Sequence, residues 1–202
     1  MKSGILGGTF DPIHNGHLAV AEEVRRRLSL DEVIFVPAGK PQLRMNTPLS
    51  AAAHRVQMVR LAIAGSPYCK LSLVEIERAG PSYTVDTVNQ LRTQLGSGGE
   101  LYFILGWDNL AELPWWHGPS QLVKACSLVA VPRPGYGLPD LEPLKALVPG
   151  LEESLILLDA PQVDISASLV RERVSRGLSI RQLVPGLVAD YIQEQGLYVS
   201  EN

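Results

Sequence analysis

The chain has 202 residues, 46% hydrophobic and 19% charged, with 18 Lys and Arg against 21 Asp and Glu and a formal net charge of −3. That supplies apolar material for one ordinary core and argues against nucleic acid or a membrane surface held by bulk charge. Cys69 and Cys126 lie too far apart for a metal-ligand spacing or a disulfide framework, no apolar run has the length of a membrane span, and the run after Lys2 stops at once in glycines, so a reducing cytoplasm is expected.

In chain order, Ile5-Leu6 predicts a short buried strand, followed by a helix over 17–28 with Leu18, Ala21, Val24 and Leu28 on one face. "EVIFVPAG" (32–39) predicts a strand, and "SAAAHRVQMVRLAIAG" (50–65) a helix with Ser50 as N-cap and Gly65 as C′. "KLSLVEIER" (70–78) predicts a strand, "TVDTVNQLRTQLG" (84–96) a helix and "ELYFILG" (100–106) a strand. A short helix "SQLVKAC" and a strand "SLVAVP" (127–132) follow. The Pro- and Gly-rich stretch 135–150 predicts a surface loop, "SLILLDA" (154–160) a last strand, and helices near 166–176 and 185–195 close the chain. Alternation of this kind predicts an α/β fold, a doubly wound and mostly parallel sheet with helices on both faces. Ligands then bind beyond the carboxyl ends of the strands, where the chain reverses direction across the sheet. We expect a single domain over 1–202, with a C-terminal helical segment from about 166.

The stretch "GILGGTFDPIHNGHL" (4–18) concentrates the chemistry. Gly7 and Gly8 let backbone approach a ligand, and the helix that follows offers free N–H groups and a positive dipole end, a combination that binds phosphate. His14 and His17 are three apart and share a face in a helical first turn. Both imidazoles could donate to one polyphosphate. They could also be zinc ligands, though the sequence places no third ligand nearby, or ordinary polar residues of a turn. The pattern is neither the phosphate loop ending in Gly-Lys-Ser/Thr nor G-x-G-x-x-G.

"GGTFDPIHNGHL" resembles the first signature of the nucleotidyltransferase superfamily, a His-x-x-His at the start of the first helix, and "ISASLVRERVSRG" (165–177) resembles its second, Ile-Ser-x-Ser/Thr-x-x-Arg. "SYTVDT" (82–87), "LGWDNLAELPWWHG" (105–118) and "VPRPGY" (131–136) are similar to stretches of the bacterial nicotinate-nucleotide adenylyltransferases. The resemblance implies a Rossmann-like fold. It also implies adenylyl transfer from ATP to nicotinate mononucleotide as a step of NAD biosynthesis. Mg2+ would be carried by the ATP phosphates with no metal ligands from the protein, and no nucleic-acid or membrane partner is expected. It implies that His14, His17 and Arg171 act on the triphosphate, with Ser166, Ser168 and Ile165 beside Arg171. Gly7, Gly8, Thr9, Phe10, Gly106 and Asp108 are the matching ATP-site positions, Asp108 toward a ribose. Tyr83, Thr84, Trp116 and Arg133 match the mononucleotide side, Trp116 under the pyridine ring. After the second strand the family's Pro-Pro-His-Lys is replaced by "GKPQLRMN" (39–46), so the cation there is Lys40 or Arg44. His54 and His117 are expected at structural or rim positions, and Trp107 stands where a small residue is expected. Other readings are a transferase acting on pantetheine phosphate or an alcohol phosphate, or a nucleotide-binding regulator without turnover. Oligomeric state, homo-oligomer included, stays open.

Overall fold

The computed structural model describes residues 1–40, 49–96, 98–159 and 163–199. Six strands form one sheet: β1 (Lys2–Gly8), β2 (Glu32–Pro37), β3 (Cys69–Leu71), β4 (Glu100–Gly106), β5 (Ser127–Val131) and β6 (Leu155–Leu157). The order is β3-β2-β1-β4-β5-β6 and every pairing is parallel. Parallel strands buried on both faces need apolar side chains on both, and the period of two divides them cleanly. Leu6, Val33, Phe35, Tyr102, Ile104, Val129 and Val131 point into one core, and Ile5, Ile34, Val36, Leu101, Phe103, Leu105, Leu128 and Ala130 into the other.

The first core is covered by α1 (Asn15–Leu28), α2 (Ala52–Ile63), α9 (Ala167–Ser175) and α10 (Gly186–Glu194), which contribute Val24, Met58, Val170 and Ile192. The second is covered by α3 (Val74–Glu77), α4 (Thr84–Leu95), α5 (Trp107–Glu112), α6 (Pro119–Ala125), α7 (Leu141–Leu147) and α8 (Leu151–Ser154), through Val88, Leu110, Leu122, Leu144 and Leu151. Because β1 lies between β2 and β4, the chain winds outward from β1 in both directions. A crevice opens beyond the carboxyl ends of β1 and β4, where the winding reverses.

Four elements differ from expectation. The strand over 70–78 is only three residues long, and the chain turns into α3. β3 is an edge strand with β2 as its one neighbour, so nothing extends the ladder past Leu71. The 135–150 stretch holds α7, whose N-cap Asp140 accepts from the Glu142 N–H at 3.2 Å. Pro143 sits in the first turn of that helix, where a missing N–H costs nothing. The helix over 50–65 starts at Ala52 with Ala51 as N-cap. Ser50 lies outside it, its N–H donating to Asp11 and its carbonyl accepting from Arg55. The predicted strand 154–160 is confined to Leu155–Leu157. In addition α5, directly after β4, answers to no expectation.

Candidate active site

The crevice is a cavity of about 640 Å³, within the range that holds small-molecule ligands. Its floor is the end of β1 and the loop Gly7 to Asp11. Phe10 has φ 51, a left-handed conformation that a bulky residue rarely takes. Its ring turns inward beneath Gly8, where a Cβ would meet it at 3.2 Å, and sets its edge against His17 with centroids 5.0 Å apart.

His14 is the N-cap of α1. Its backbone N–H donates to His17 Nδ1 at 3.2 Å. The neutral His17 ring therefore carries its proton on Nε2 and has one donor left to offer. The two rings stack, centroids 3.7 Å apart. Gly16 makes room for that stack, since a Cβ there would lie 3.0 Å from His14 Nδ1. Burial lowers the His14 pKa from 6.5 to about 4, with the Arg133 charge adding to the effect. His17 is held well below 6.5 by burial, then by the charges of His14 and Arg133. At neutral pH both rings are neutral hydrogen-bond donors.

The loop is braced from below. The buried Arg55 donates from Nη1 to the carbonyls of Thr9 (2.9 Å) and Ala38 (2.8 Å) and from Nε to that of Ser50 (3.2 Å). Asp11, also buried, accepts from the Ser50 N–H (3.1 Å) and the Tyr198 hydroxyl (2.6 Å). Sequence reasoning missed Arg55, Asp11 and Tyr198. A charged residue on the apolar-patterned stretch of α2 was the one signal for Arg55.

Asp108, in the first turn of α5, pairs with Arg133 through Oδ2, and its Oδ1 is buried without a partner. Trp116 is half-buried, its ring edge-on to Phe103 with centroids 6.1 Å apart. Tyr83 stacks on His117 at 4.3 Å. Five buried side-chain polar atoms have no hydrogen-bond partner among the described residues. Three of them, His14 Nδ1, Asp108 Oδ1 and Trp116 Nε1, belong to residues that line this cavity. Buried polar groups are nearly always paired, so this concentration marks a surface built to meet a polar ligand.

Of the expected residues, Gly7, Gly8, Thr9, Phe10, His14, His17, Gly106, Asp108, Ile165, Tyr83, Thr84, Trp116 and Arg133 line the cavity. Arg171, Ser166, Ser168 and Lys40 are not among the lining residues. Ser166 caps α9, accepting from the Leu169 N–H at 3.1 Å, and Ser168 accepts from Arg171 Nη2 at 3.4 Å rather than capping. Arg171 Nη1 donates to the Asp11 carbonyl at 2.6 Å. The exposed Lys40 is fixed by its backbone, whose N–H and carbonyl bond Ser82. Arg44 lies outside the described residues. His117 lines the rim, and His54 bonds Tyr191 at 2.8 Å, joining α2 to α10. Glu75, Thr87, Asn109 and Glu112 also line the cavity and went unnoticed in the sequence. Trp107 walls a smaller adjoining pocket with Arg133 and Tyr136.

Among the described residues no three His, Cys, Asp or Glu side chains are grouped to hold a metal ion. Both cysteines are buried and free, and no described helix is long and apolar enough to cross a membrane.

Comparison with known proteins adds three findings. Residues 5–173 match the cytidylyltransferase-like family. A Dehalococcoides mccartyi protein named "Probable nicotinate-nucleotide adenylyltransferase" is 55% identical over 198 residues, 98% of this chain and 97% of that one. A Thermomicrobium roseum protein of the same name is 44% identical over 98% of this chain and 91% of its own length. The fold superposes on Plasmodium falciparum nicotinic acid mononucleotide adenylyltransferase complexed with NaAD (TM-score 0.77, 23% identity, covering 98% of this chain and 97% of the other).

Proposed function

The chain belongs to the nicotinate-nucleotide adenylyltransferases of the cytidylyltransferase-like family, and we propose that its stacked histidine pair drives their reaction. A phosphate oxygen of nicotinate mononucleotide attacks the α-phosphorus of ATP, pyrophosphate leaves and nicotinate adenine dinucleotide forms. The attacking phosphate has a second pKa of about 6 and is already largely dianionic, so no general base and no protein nucleophile are needed. What the protein supplies is position and charge stabilisation.

His17 supplies the central donor. Its Nδ1 is engaged by the His14 N–H, so Nε2–H is fixed as the group offered to the α-phosphate. That donor is preorganised and needs no proton transfer. His14, stacked on it, serves the neighbouring phosphates, and the positive end of the α1 dipole adds to the field. Arg171, oriented by the Asp11 carbonyl at Nη1 and Ser168 at Nη2, takes the β- and γ-phosphates. Ser166 and Ser168 keep the start of α9 and the Arg171 fork in place. Lys40 or Arg44 adds charge from the stretch of sequence after β2, and Mg2+ comes with the ATP, held by substrate oxygens and water. Asp108 turns its unpaired Oδ1 to a ribose hydroxyl, with Gly106 and Ile165 beside the nucleoside. Trp116 and Tyr83 hold the pyridine ring, Thr84 and the N–H groups at the start of α4 meet the nicotinate carboxylate, and Arg133 borders the mononucleotide phosphate.

The observation that carries this reading is the His14 N–H to His17 Nδ1 bond, which selects one tautomer in a cavity rich in unpaired polar atoms. Pyrophosphate release from ATP and nicotinate mononucleotide tests it. His17→Ala should lower kcat by roughly 10²–10³. Full activity in that variant, or turnover with pantetheine phosphate but not the pyridine mononucleotide, would overturn it.

A further inference from the structure

The catalytic loop is tied to the far end of the chain. The Tyr198 hydroxyl, 187 residues away in sequence, donates to Asp11 Oδ1 at 2.6 Å. Asp11 is 3% exposed and fills its other oxygen with the Ser50 N–H, so the carboxylate is held on both sides. Burial and that bond raise the Tyr198 pKa, so the hydroxyl stays a donor throughout the working pH range.

Backbone conformation points to the same pair of positions. Three non-glycine residues among those described have positive φ: Phe10, Ser29 and Tyr198. Ser29 ends α1, a common place for such a conformation. The other two stand at the ends of the Asp11 link, Phe10 one residue before it at φ 51 and Tyr198 across the hydrogen bond at φ 65. Bulky residues persist in that region only where their surroundings over-determine them. Phe10 converts the restraint into geometry at the reacting centre, because its ring edge abuts His17.

We propose that Tyr198 is a positioning residue for adenylyl transfer: by anchoring Asp11 it holds Phe10 in its left-handed conformation, and through that ring it fixes the plane of His17. This rests on the role given to His17 above. The class of interaction is a packing restraint on a phosphate donor, so its loss falls on kcat and leaves the mononucleotide site untouched.

The test is a double-mutant cycle of Tyr198→Phe with His17→Ala, reading kcat and both KM values well below the melting temperature. Tyr198→Phe should lower kcat about tenfold, change the KM for nicotinate mononucleotide less than twofold, and have no further effect on kcat once His17 is alanine. A tyrosine that only stabilises the fold would lower the melting temperature with kcat unchanged, or would multiply with His17→Ala, and either result overturns the proposal. If Tyr198→Phe does not fold, Asp11→Asn weakens the same bond from the acceptor side and is read by the same cycle with the same criteria. Should His17→Ala itself retain full kcat, the role of His17 fails on that measurement alone, whatever Tyr198 does.

Discussion

Acidification should destabilise this protein through His14 in a window set by its burial. The ring titrates near pH 4 in the fold and near 6.5 in the unfolded chain. Between those values the unfolded chain binds more protons, so stability rises with pH and is lost as pH falls from 6.5 toward 4. A shift of this size is worth about 3 kcal/mol in full. By pH 5 the unfolded ring is nearly all protonated and the native ring nearly all neutral, and about 2 kcal/mol has gone. Urea unfolding at pH 7 and pH 5, on the wild type and His14→Asn, isolates the effect. Asparagine keeps a good N-cap, and His17 is present in both proteins. Wild type should lose about 2 kcal/mol more than the variant between the two pH values. If both proteins lose stability in parallel, His14 is not held neutral by the fold and the account of the histidine pair as neutral donors is wrong.

Two further outcomes follow from the packing. Arg55→Met leaves the carbonyls of Thr9, Ala38 and Ser50 without their shared donor. Unsatisfied buried acceptors cost about 1–3 kcal/mol each, partly offset by no longer burying a guanidinium, so a net loss of about 3 kcal/mol should lower Tm by roughly 6–12 °C in a thermal scan. Trp116→Ala should raise the KM for nicotinate mononucleotide roughly 10- to 100-fold, since a ring platform is worth about 1–3 kcal/mol per base. The KM for ATP should stay within a few-fold, which steady-state kinetics with each substrate varied in turn will decide.

The strands most legible in the sequence were those buried on both faces. "ELYFILG" became β4 with its predicted limits, 100–106, because every residue from Leu101 to Leu105 had a core to enter. "KLSLVEIER" failed because alternation alone cannot report that a strand lies at the sheet edge, where one neighbour supports only three pairs. The histidine pair could be found from spacing, glycines and resemblance. The supports beneath it could not be paired with it, because Arg55 and Tyr198 reach the loop from 46 and 187 residues away, and Tyr198 lies beyond the last helix, where no periodic pattern gives it a direction. Hydrogen bonds to backbone carbonyls, such as those of Arg55, leave no partner side chain to search for. The tautomer of His17 was equally hidden, since it is set by a main-chain N–H.

The strand order has a consequence for synthesis on the ribosome. β2 and β3 are complete by residue 71, yet both stack on one flank of β1, and the strand that closes its other flank begins only at Glu100. During that interval the nascent chain carries Ile5 and Leu6 along an open ladder of unpaired amides, the arrangement most prone to joining a neighbouring molecule. An early-truncated product would thus hold both histidines, have no wall opposite them, and be sticky rather than merely inactive.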